Sequence, residues 1–309
     1  MPNVNLPTNV PTAARTLALS VSAFFLFIPT QVACAGGTII NLGTLGGHTA
    51  YGFAVSDDGL SVTGVSLITG NAANHAFRWT SAGEIEDLGT LGGTDSRGIS
   101  ICANGSAIAG YSNPTGNTPT RAFRWTTAGM QNLGSLGGST SYASGISGNG
   151  LVIVGESDTA GDASTHAFRW TAAGMQDLGA LDGSMSSAHA TNTGGSVVTG
   201  VTEKIVGEGT ENHAFRWTSA GGMQDLGTLG GYYAEGNSIS GDGSVIAGAS
   251  YTTGDVIQHV IRWTTTAGMQ DLGGLGGSTA KALALSADGT TIAGSGDLPG
   301  DTVTHALLW

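Results

Sequence analysis

His75-Ala76-Phe77-Arg78-Trp79-Thr80 is the first of six copies of one phrase along the chain, identical or slightly altered. Its tryptophan recurs at spacings of 46, 45, 47, 46 and 46 residues, at Trp79, Trp125, Trp170, Trp217, Trp263 and Trp309. A fixed period of this size is typical of repeat proteins, in which each unit buries its apolar face by stacking on the next unit. The chain is therefore an array of one repeated unit.

Each copy of the unit divides into four strand-like segments, which we name a to d. In the third copy they are residues 142–147, 151–155, 166–171 and 175–179. The pair Asn149-Gly150 tolerates positive φ and favours a hairpin turn between a and b. Four strands in about 46 residues match one blade of a β-propeller. A two-turn β-solenoid unit is the alternative.

The two ends of the array complement each other. The chain enters in mid-repeat near Ile40 and stops after strand c of the last copy, at Trp309. We therefore predict an all-β, six-bladed propeller over residues 36–309. Its ring would be closed by an N-terminal outer strand around Ile40 that joins the C-terminal blade, formed by residues 279–309. A solenoid would leave the matching half-repeats unexplained.

The recurring charged side chains are expected to have structural roles and not catalytic or metal-binding ones. Arginine of strand c and aspartate or asparagine of strand d are expected to face each other across the ladder, as Arg124–Asn132, Arg169–Asp177 and Arg216–Asp225. Five histidines recur on separate units, too far apart to share one metal ion, and are expected to bind neighbouring backbone: His75, His166, His213, His259 and His305. No catalytic triad follows from the spacing.

The composition is that of a turn-rich β protein. The chain has 53 glycines and 10% charged residues, which suit exposed helices poorly because glycine costs about 1 kcal/mol relative to alanine there. The formal net charge of −12 disfavours nucleic acid and anionic membranes as partners. Cys102 aligns with serine or asparagine in the other copies, so we expect a small buried substitute.

Residues 1–35 have the composition of an export signal. Arg15 precedes an apolar stretch, and Ala33-Cys34-Ala35 supplies small residues for cleavage after Ala35. The apolar run is shorter than the roughly 20 residues of a membrane span, so we expect no span once the signal is removed. Lipidation of Cys34 is an alternative, although Gln31 fits that motif poorly.

His-Ala-Phe-Arg-Trp-Thr, the following Ala-Gly-Met-Gln-Asp-Leu-Gly-Thr-Leu-Gly-Gly and the Ile-Ser-x-Asp-Gly turn resemble the HAF-type extracellular repeats of bacteria. The resemblance covers residues 37–309 and implies an exported protein without implying an activity. Some such repeats are passengers of outer-membrane autotransporters. This chain ends at Trp309 without a C-terminal membrane barrel, so we expect a secreted, extracellular or periplasmic protein.

A single asymmetric site must lie where the repeats disagree. One such position is the start of strand a, where the copies carry different side chains that would ring one mouth of a central channel. We predict a ligand-binding group there for a sugar or a peptide end, made of Tyr51, Arg97, Tyr142, His189, Glu235 and Lys281. A solvated funnel without a ligand is the alternative.

The loops between strands b and c also differ. Asp158 with Asp162, and Asp297 with Asp301, suggest calcium weakly, but no full ligand set is visible, so we expect neither a metal nor another cofactor. The sequence favours a binding or scaffolding module for a protein or glycan at the bacterial surface. Alternatives are a multivalent lectin built from the recurring aromatics, and a hydrolase or lyase that uses Glu235, Arg97 and His189.

Overall fold

Short β-strands dominate the described residues, 39–183 and 185–309, in this computed structural model. The expected signal peptide lies outside the described residues. The first three repeats contain β1 (Gly46–Val55), β2 (Ser61–Ile68), β3 (Asn74–Thr80), β4 (Ile85–Asp87), β5 (Gly92–Ile101), β6 (Ile108–Pro114), β7 (Arg121–Thr126), β8 (Gly129–Asn132), β9 (Gly137–Ile146), β10 (Ile153–Thr159), β11 (Thr165–Thr171) and β12 (Gly174–Asp177).

The last three repeats continue the same order. They contain β13 (Ser186–Thr191), β14 (Val197–Val206), β15 (Gly209–Thr218), β16 (Gly222–Gly227), β17 (Gly230–Ile239), β18 (Val245–Thr252), β19 (Gln258–Thr264), β20 (Gly268–Gly273), β21 (Ala280–Leu285), β22 (Ile292–Asp297) and β23 (Thr304–Leu308). Two short 3-10 turns, Thr69–Asn71 and Ala160–Asp162, lie between strands b and c of repeats 1 and 3. Within each repeat the strands pair antiparallel in chain order, and the molecule is an all-β propeller.

The expected ring of six separate four-stranded blades is wrong. The described strands form five hydrogen-bonded sheets: three of four strands, one of eight and one of three. The eight-stranded sheet arises because β15 of repeat 4 pairs in parallel with β17 of repeat 5, at Asn212 and Tyr233. Two successive repeats therefore share one sheet, which the repeat pattern does not reveal.

The expected closure by an N-terminal strand is also wrong. The last sheet contains β21, β22 and β23 alone, and Ile40 lies outside any strand and is 58% exposed. The side-chain oxygen of Asn41 instead accepts a hydrogen bond from the amide of Gly43, two residues on. The segment around Ile40 therefore forms a local turn and no strand that pairs with β23.

The core lies between neighbouring sheets. Ala76 and Leu88 of repeat 1 pack in one cluster with Ile108, Phe123 and Trp125 of repeat 2. Strand period places these side chains on the faces that meet, and burying each large one contributes about 1.5–3 kcal/mol. The recurring phenylalanines and the first five tryptophans are at most 8% exposed, so these aromatics hold the repeats together.

Arginine and aspartate of strands c and d do not face each other. Phe168, not Arg169, pairs with Asp177, because Thr171 already pairs with Gly174 and leaves a turn of two residues. The Nε of Arg169 instead donates to the carbonyl of Gly195 in the next repeat, at 2.8 Å. Arg78 and Arg124 make the same bond to Gly105 and Gly150.

Four of the five recurring histidines bind carboxylates, so the expectation that they bind backbone is wrong for these four. The Nδ1 of His166 lies 2.9 Å from Asp177, whose carboxylate also accepts the amide of Gly179. Equivalent His–Asp pairs are His75–Asp87, His213–Asp225 and His259–Asp271. Each pair ties strand c to the end of strand d, which is a structural role.

The turns between strands a and b are joined from repeat to repeat around the channel. Backbone amides donate to carbonyls of the next turn at 2.8–3.4 Å, as Asp57 to Ala103, Ala103 to Gly148, Asn149 to Thr193, Thr193 to Gly241 and Gly241 to Ala287. Cys102 is 1% exposed and its sulfur accepts the amide of Ala107. Ser147 accepts the amide of Val152 in the same way, so Cys102 is the small buried substitute that we expected.

Candidate functional site

A β-bulge interrupts the inner strand of every repeat. On β13 the register shifts between Ala188 and Ala190, which leaves His189 as the extra residue. The equivalent bulge residues on β1, β5, β9, β17 and β21 are Phe53, Ile99, Ser144, Asn237 and Leu283. A bulge bends its strand and redirects a side chain. The side chains of these six residues are therefore oriented differently from those of their neighbours.

A recurring glycine on strand b makes room for each bulge. A Cβ on Gly200 would collide with the carbonyl oxygen of Ser187, two residues before the bulge. Gly64, Gly110, Gly155, Gly248 and Gly294 meet the equivalent carbonyl of their own repeats. The bulge and its glycine therefore form one unit, repeated around the channel.

The residues predicted at the start of strand a share one register. Each directly faces a residue of strand b, as Tyr51 faces Val65 and Glu235 faces Ala249. Tyr51, Arg97 and Lys281 are exposed, whereas Tyr142 and Glu235 are half-buried. Because these residues share one register, they lie at the same end of the channel, which we call the mouth.

Two of these residues, Tyr142 and Arg97, lie beside an aromatic and a charged side chain. Tyr142 packs edge-on against Tyr111, with ring centroids 5.1 Å apart. Arg97 lies on β5 near Asp95, whose pKa is lowered by a hydrogen bond from the Thr94 hydroxyl and, more weakly, by the charge of Arg97. Arg97 therefore has an acidic neighbour, Asp95, on its own strand.

A hydrogen-bonded network joins two predicted residues, Glu235 and His189. Tyr233 donates its hydroxyl to Glu235 at 2.9 Å, and the amide nitrogen of Asn237 donates to the same carboxylate at 2.8 Å. The oxygen of Asn237 lies 3.1 Å from Nδ1 of His189, so that ring nitrogen carries the proton. Burial, and then Glu235, raise the pKa of Tyr233, which keeps the phenol a donor.

Asn237 was missed by the sequence reasoning. It also donates to the carbonyl of Ala282 on the next inner strand, at 3.1 Å, and so links β13, β17 and β21. Comparison of the repeats at this one position could have found it. The bulge residue is polar in three consecutive repeats, Ser144, His189 and Asn237, and apolar in the other three.

A cavity of about 210 Å³ occupies the channel towards the a–b turns. All six inner strands line it, largely with small residues such as Gly145, Ala190 and Ser238. Of the predicted ligand-binding residues, His189 lines this cavity together with Asn237, while the others lie nearer the opposite end of the inner strands. The His189–Asn237 pair therefore belongs to the cavity lining, and Asn237 connects it to Glu235 of the mouth.

All six tyrosines lie on strands a or b, on the side of the bulge away from the a–b turn: Tyr51, Tyr111, Tyr142, Tyr232, Tyr233 and Tyr251. The rings of Tyr232 and Tyr251 stack at 5.4 Å with an interplanar angle of 14°. The tryptophans lie towards the other end, as Trp79 does opposite Val62. Although the sequence repeats six times, the tyrosines therefore lie towards one end of the channel.

The acidic residues of the b–c loops are engaged locally. Asp162 accepts hydrogen bonds from the amide and hydroxyl of Ser139, which lower its pKa. Asp158 accepts the hydroxyls of Thr140 and Thr165. Within residues 39–183 and 185–309, no group of three or more histidine, cysteine or acidic side chains could hold a metal ion. The expectation about calcium stays a prediction.

The residues of the hydrolase or lyase hypothesis lie on three inner strands. Asn237 bridges His189 and Glu235, and Arg97 lies on β5, the strand that also carries Asp95. General acid–base catalysis needs groups within hydrogen-bond reach of one substrate. The hydrolase or lyase hypothesis stays a prediction.

No protein-family model matches the chain, and no curated protein sequence matches it. Among solved structures, it is similar to the β-propeller domain of the Trilobed protease from Pyrococcus furiosus, with a TM-score of 0.54 and 8% identity over 85% of this chain and 81% of that one. TolB from Acinetobacter baumannii gives 0.51 and 12% over 81% of this chain and 61% of that one. Putative TolB from Agrobacterium tumefaciens gives 0.50 and 14% over 82% and 87%.

Sequence identities this low support a similarity of fold alone, because one fold can carry many unrelated activities. The chain spans 61% of the length of the Acinetobacter protein. The matches and the strand order agree, and together they identify this chain as a β-propeller similar in architecture to TolB.

Proposed function

We propose that the chain is a secreted or periplasmic binding or scaffolding module for a protein or glycan at the bacterial cell surface. Its ligand is held at the mouth by Tyr51, Arg97, Tyr142, His189, Glu235 and Lys281, with Asn237 orienting His189 and Glu235. The module performs no reaction of its own.

The gathering of all six tyrosines at one end is the observation that carries this proposal. Tyrosine offers a large, rigid, amphipathic contact surface at low cost in conformational entropy and is enriched in binding surfaces. A purely structural residue would recur in every repeat, as tryptophan does. No position of the repeat carries tyrosine in all six copies.

The multivalent lectin is the second candidate, and the recurring aromatics weigh against it. Phe77, Phe123, Phe168 and Phe215 are at most 1% exposed, so their rings cannot stack on sugars. A glycan ligand would therefore occupy one asymmetric site at the mouth. Such a site predicts one sugar-binding event per chain and not several.

The expected export signal and the resemblance to HAF-type repeats support the proposed location. None of the helical segments among the described residues has the length and apolar character of a membrane-spanning helix. A net charge of −12 repels nucleic acid and anionic lipid at long range. Protein and glycan remain as partners that this charge permits.

The proposal is tested by glycan-array binding and by pull-down from cell envelopes, each with purified wild type and matched variants. Arg97→Ala and Glu235→Gln should reduce capture of the ligand at least tenfold. Leu151→Ser, an exposed site at the a–b turn end, is the control and should leave capture unchanged. Capture that is equal in all four proteins would contradict the mouth as the binding site.

A further inference from the structure

The outer edge of β23 is open. Five of the six strands c pair with a strand b on one side and a strand d on the other, but among the described residues β23 pairs with β22 alone. Trp309 and Ile292 exchange both backbone hydrogen bonds at 2.9 Å, and such bonds alternate along an antiparallel ladder. The amides and carbonyls of Ala306 and Leu308 therefore point away from β22, and an unpaired edge of this kind is a template for a further strand.

The side chains of β23 are exposed where those of the other strands c are covered. Leu308 is 71% and Trp309 50% exposed, whereas the first five tryptophans are at most 8% exposed. Ala306 is exposed, although the equivalent alanine is fully buried in repeats 1 to 4. His305 has no carboxylate partner among the described residues, whereas its four equivalents pair with an aspartate of strand d. β23 therefore lacks the cover that strand d and the following repeat give elsewhere.

The complete repeats show which sequence fits such an edge. The phrase of strand d is Met-Gln-Asp-Leu-Gly in repeats 3, 4 and 5. Its methionine faces the tryptophan of strand c, and its aspartate faces the phenylalanine or isoleucine. The leucine of this phrase is at most 8% exposed in repeats 1 to 4. An occupant of the open edge therefore needs an apolar residue, a hydrogen-bond acceptor two residues later, and then leucine and glycine.

Residues 39–43 carry this phrase as Ile-Ile-Asn-Leu-Gly. The side-chain oxygen of Asn41 accepts the amide of Gly43 at 3.0 Å, and the aspartate or asparagine of strand d makes the same bond in all five complete repeats. Ile39 and Ile40 are 38% and 58% exposed. In the part of the chain that the structure describes, no backbone hydrogen bond joins residues 39–45 to β23. One chain therefore has an open strand c and an unpaired strand-d phrase.

We infer that β23 of one copy takes residues 39–43 of a second copy as its fourth strand, so that the protein assembles head to tail. By the register of β12 on β11, Ile39 of the second copy faces Trp309 and Ile40 faces Leu308. The segment leads directly into β1, so repeat 1 of the second copy packs on the exposed face of β23, as repeats 1 and 2 pack within one chain. In strand addition, main-chain bonds give affinity and side-chain contacts give specificity.

The two surfaces of this contact differ, so the contact is heterologous. Each copy that joins offers a new open edge, and the copies form a series unless their rotation closes a ring. The inference goes beyond the proposed binding function, because it uses none of the residues of the mouth. Either proposal can hold without the other.

Sedimentation velocity of the full chain at increasing concentration tests the inference. Wild type should form dimers and then larger species as its concentration rises. Leu308→Pro removes the amide that points to the open edge and leaves the bonds to β22 in place, so it should weaken association at least tenfold. Leu308→Ser removes the same exposed side chain but keeps the amide. It is the matched control and should associate nearly as well as wild type.

A mixing experiment distinguishes exchange between copies from pairing within one chain. Ile40→Pro damages the donated segment and keeps an intact β23, whereas Leu308→Pro damages β23 and keeps an intact segment. Each variant alone should stay monomeric. An equal mixture should form a dimer and nothing larger, because it contains one working pair of surfaces.

A synthetic peptide with the sequence of residues 39–45 gives a readout that does not depend on the folding of a variant. In excess it should return wild type to monomer, and a peptide with the same residues in scrambled order should not. Wild type that stays monomeric at every concentration, a mixture that stays monomeric, or association that survives Leu308→Pro would overturn the inference.

Failure of this inference is distinguishable from failure of the proposed function. Ligand capture by monomeric protein that falls in Arg97→Ala and Glu235→Gln would leave the mouth as the binding site. Capture that is equal in these variants, together with the expected assembly, would remove the proposed function and keep the strand exchange. The thermal unfolding midpoint of every variant shows whether it is folded.

Discussion

His213 differs from the other histidines of the His–Asp pairs because two carboxylates face its ring. Its Nδ1 lies 2.7 Å from Asp225 and its Nε2 3.1 Å from Glu211. His259 has one carboxylate partner, Asp271, at 2.8 Å. The side chain of His213 is 8% exposed and that of His259 is 25% exposed. Histidine at this position is therefore more buried, and has more carboxylate partners, in repeat 4 than in repeat 5.

We expect His213→Ala to lower the free energy of unfolding by about 1–3 kcal/mol, because it removes a buried imidazole that lies between Asp225 and Glu211. His259→Ala should cost less, since water can replace an exposed partner. Urea unfolding of the two variants beside wild type measures the difference. Equal losses would show that the second carboxylate contributes nothing.

At the scale of the element, the bulged inner strand depends on the bare glycine opposite it. Gly200 approaches the carbonyl of Ser187, whereas Gly194, in the a–b turn of the same repeat, has no heavy atom within 4 Å of the point where a Cβ would lie. The φ of Gly194 is not in the left-handed region. The two glycines thus differ in packing within one repeat.

Gly200→Ala should therefore destabilise the protein by about 3 kcal/mol, since the extra methyl group forces the bulge and strand b apart. Gly194→Ala is the control and should change the unfolding free energy by less than about 0.5 kcal/mol. Both are measured by urea unfolding. A tolerated alanine at position 200 would mean that the bulge can flatten.

The b–c loops give a second expectation at this scale. Because Asp158 and Asp162 already accept local hydroxyl and amide groups, calcium would have to displace these bonds. We expect about 5 mM calcium to leave the thermal midpoint unchanged within about 1 °C, whereas a ligand bound at about 100 times its dissociation constant adds about 2.7 kcal/mol. A calcium-dependent rise that Asp162→Asn removes would contradict this.

The limits of sequence reasoning also lie at this scale. The period located strands a to d, and the disagreement between repeats located the residues of the mouth. The β-bulges could not be predicted from the sequence, because one extra residue, such as His189 or Asn237, hardly changes the alternation of apolar and polar residues along a strand. The predicted c–d register was wrong by one residue because the turn between the strands is one residue shorter than expected. The predicted closure was wrong because the segment around Ile40 forms no strand, which the repeat pattern does not reveal.

At the scale of the whole molecule, acid should unfold the protein through its a–b turns. Hydrogen bonds from Ser240 and then Ser244 lower the pKa of Asp242 from 3.8 to about 2. The hydroxyls of Ser56 and Ser286 lower the pKa of Asp58 and Asp288. A carboxylate with a depressed pKa stabilises the fold above its unfolded pKa, and this stabilisation is lost as pH falls through the folded pKa.

We therefore expect the thermal midpoint to be flat from about pH 7 to about 5 and to fall between about pH 4 and 2, the window set by these pKa values. Asp242→Asn cannot titrate and should show a smaller fall over the same window. Scanning calorimetry at half-unit pH steps measures both. An identical fall in the two proteins would remove the turn aspartate as a contributor.

The bonds that join successive a–b turns form a series in which each repeat holds the next. Because the last sheet has no strand from residues 39–45, the first that the structure describes, tension applied between residues 39 and 309 is not shared by a strand pair that bridges them. Force would then detach one terminal repeat at a time. Each event would release about 46 residues, roughly 160 Å of extended chain, and an optical trap would record a staircase of evenly spaced steps.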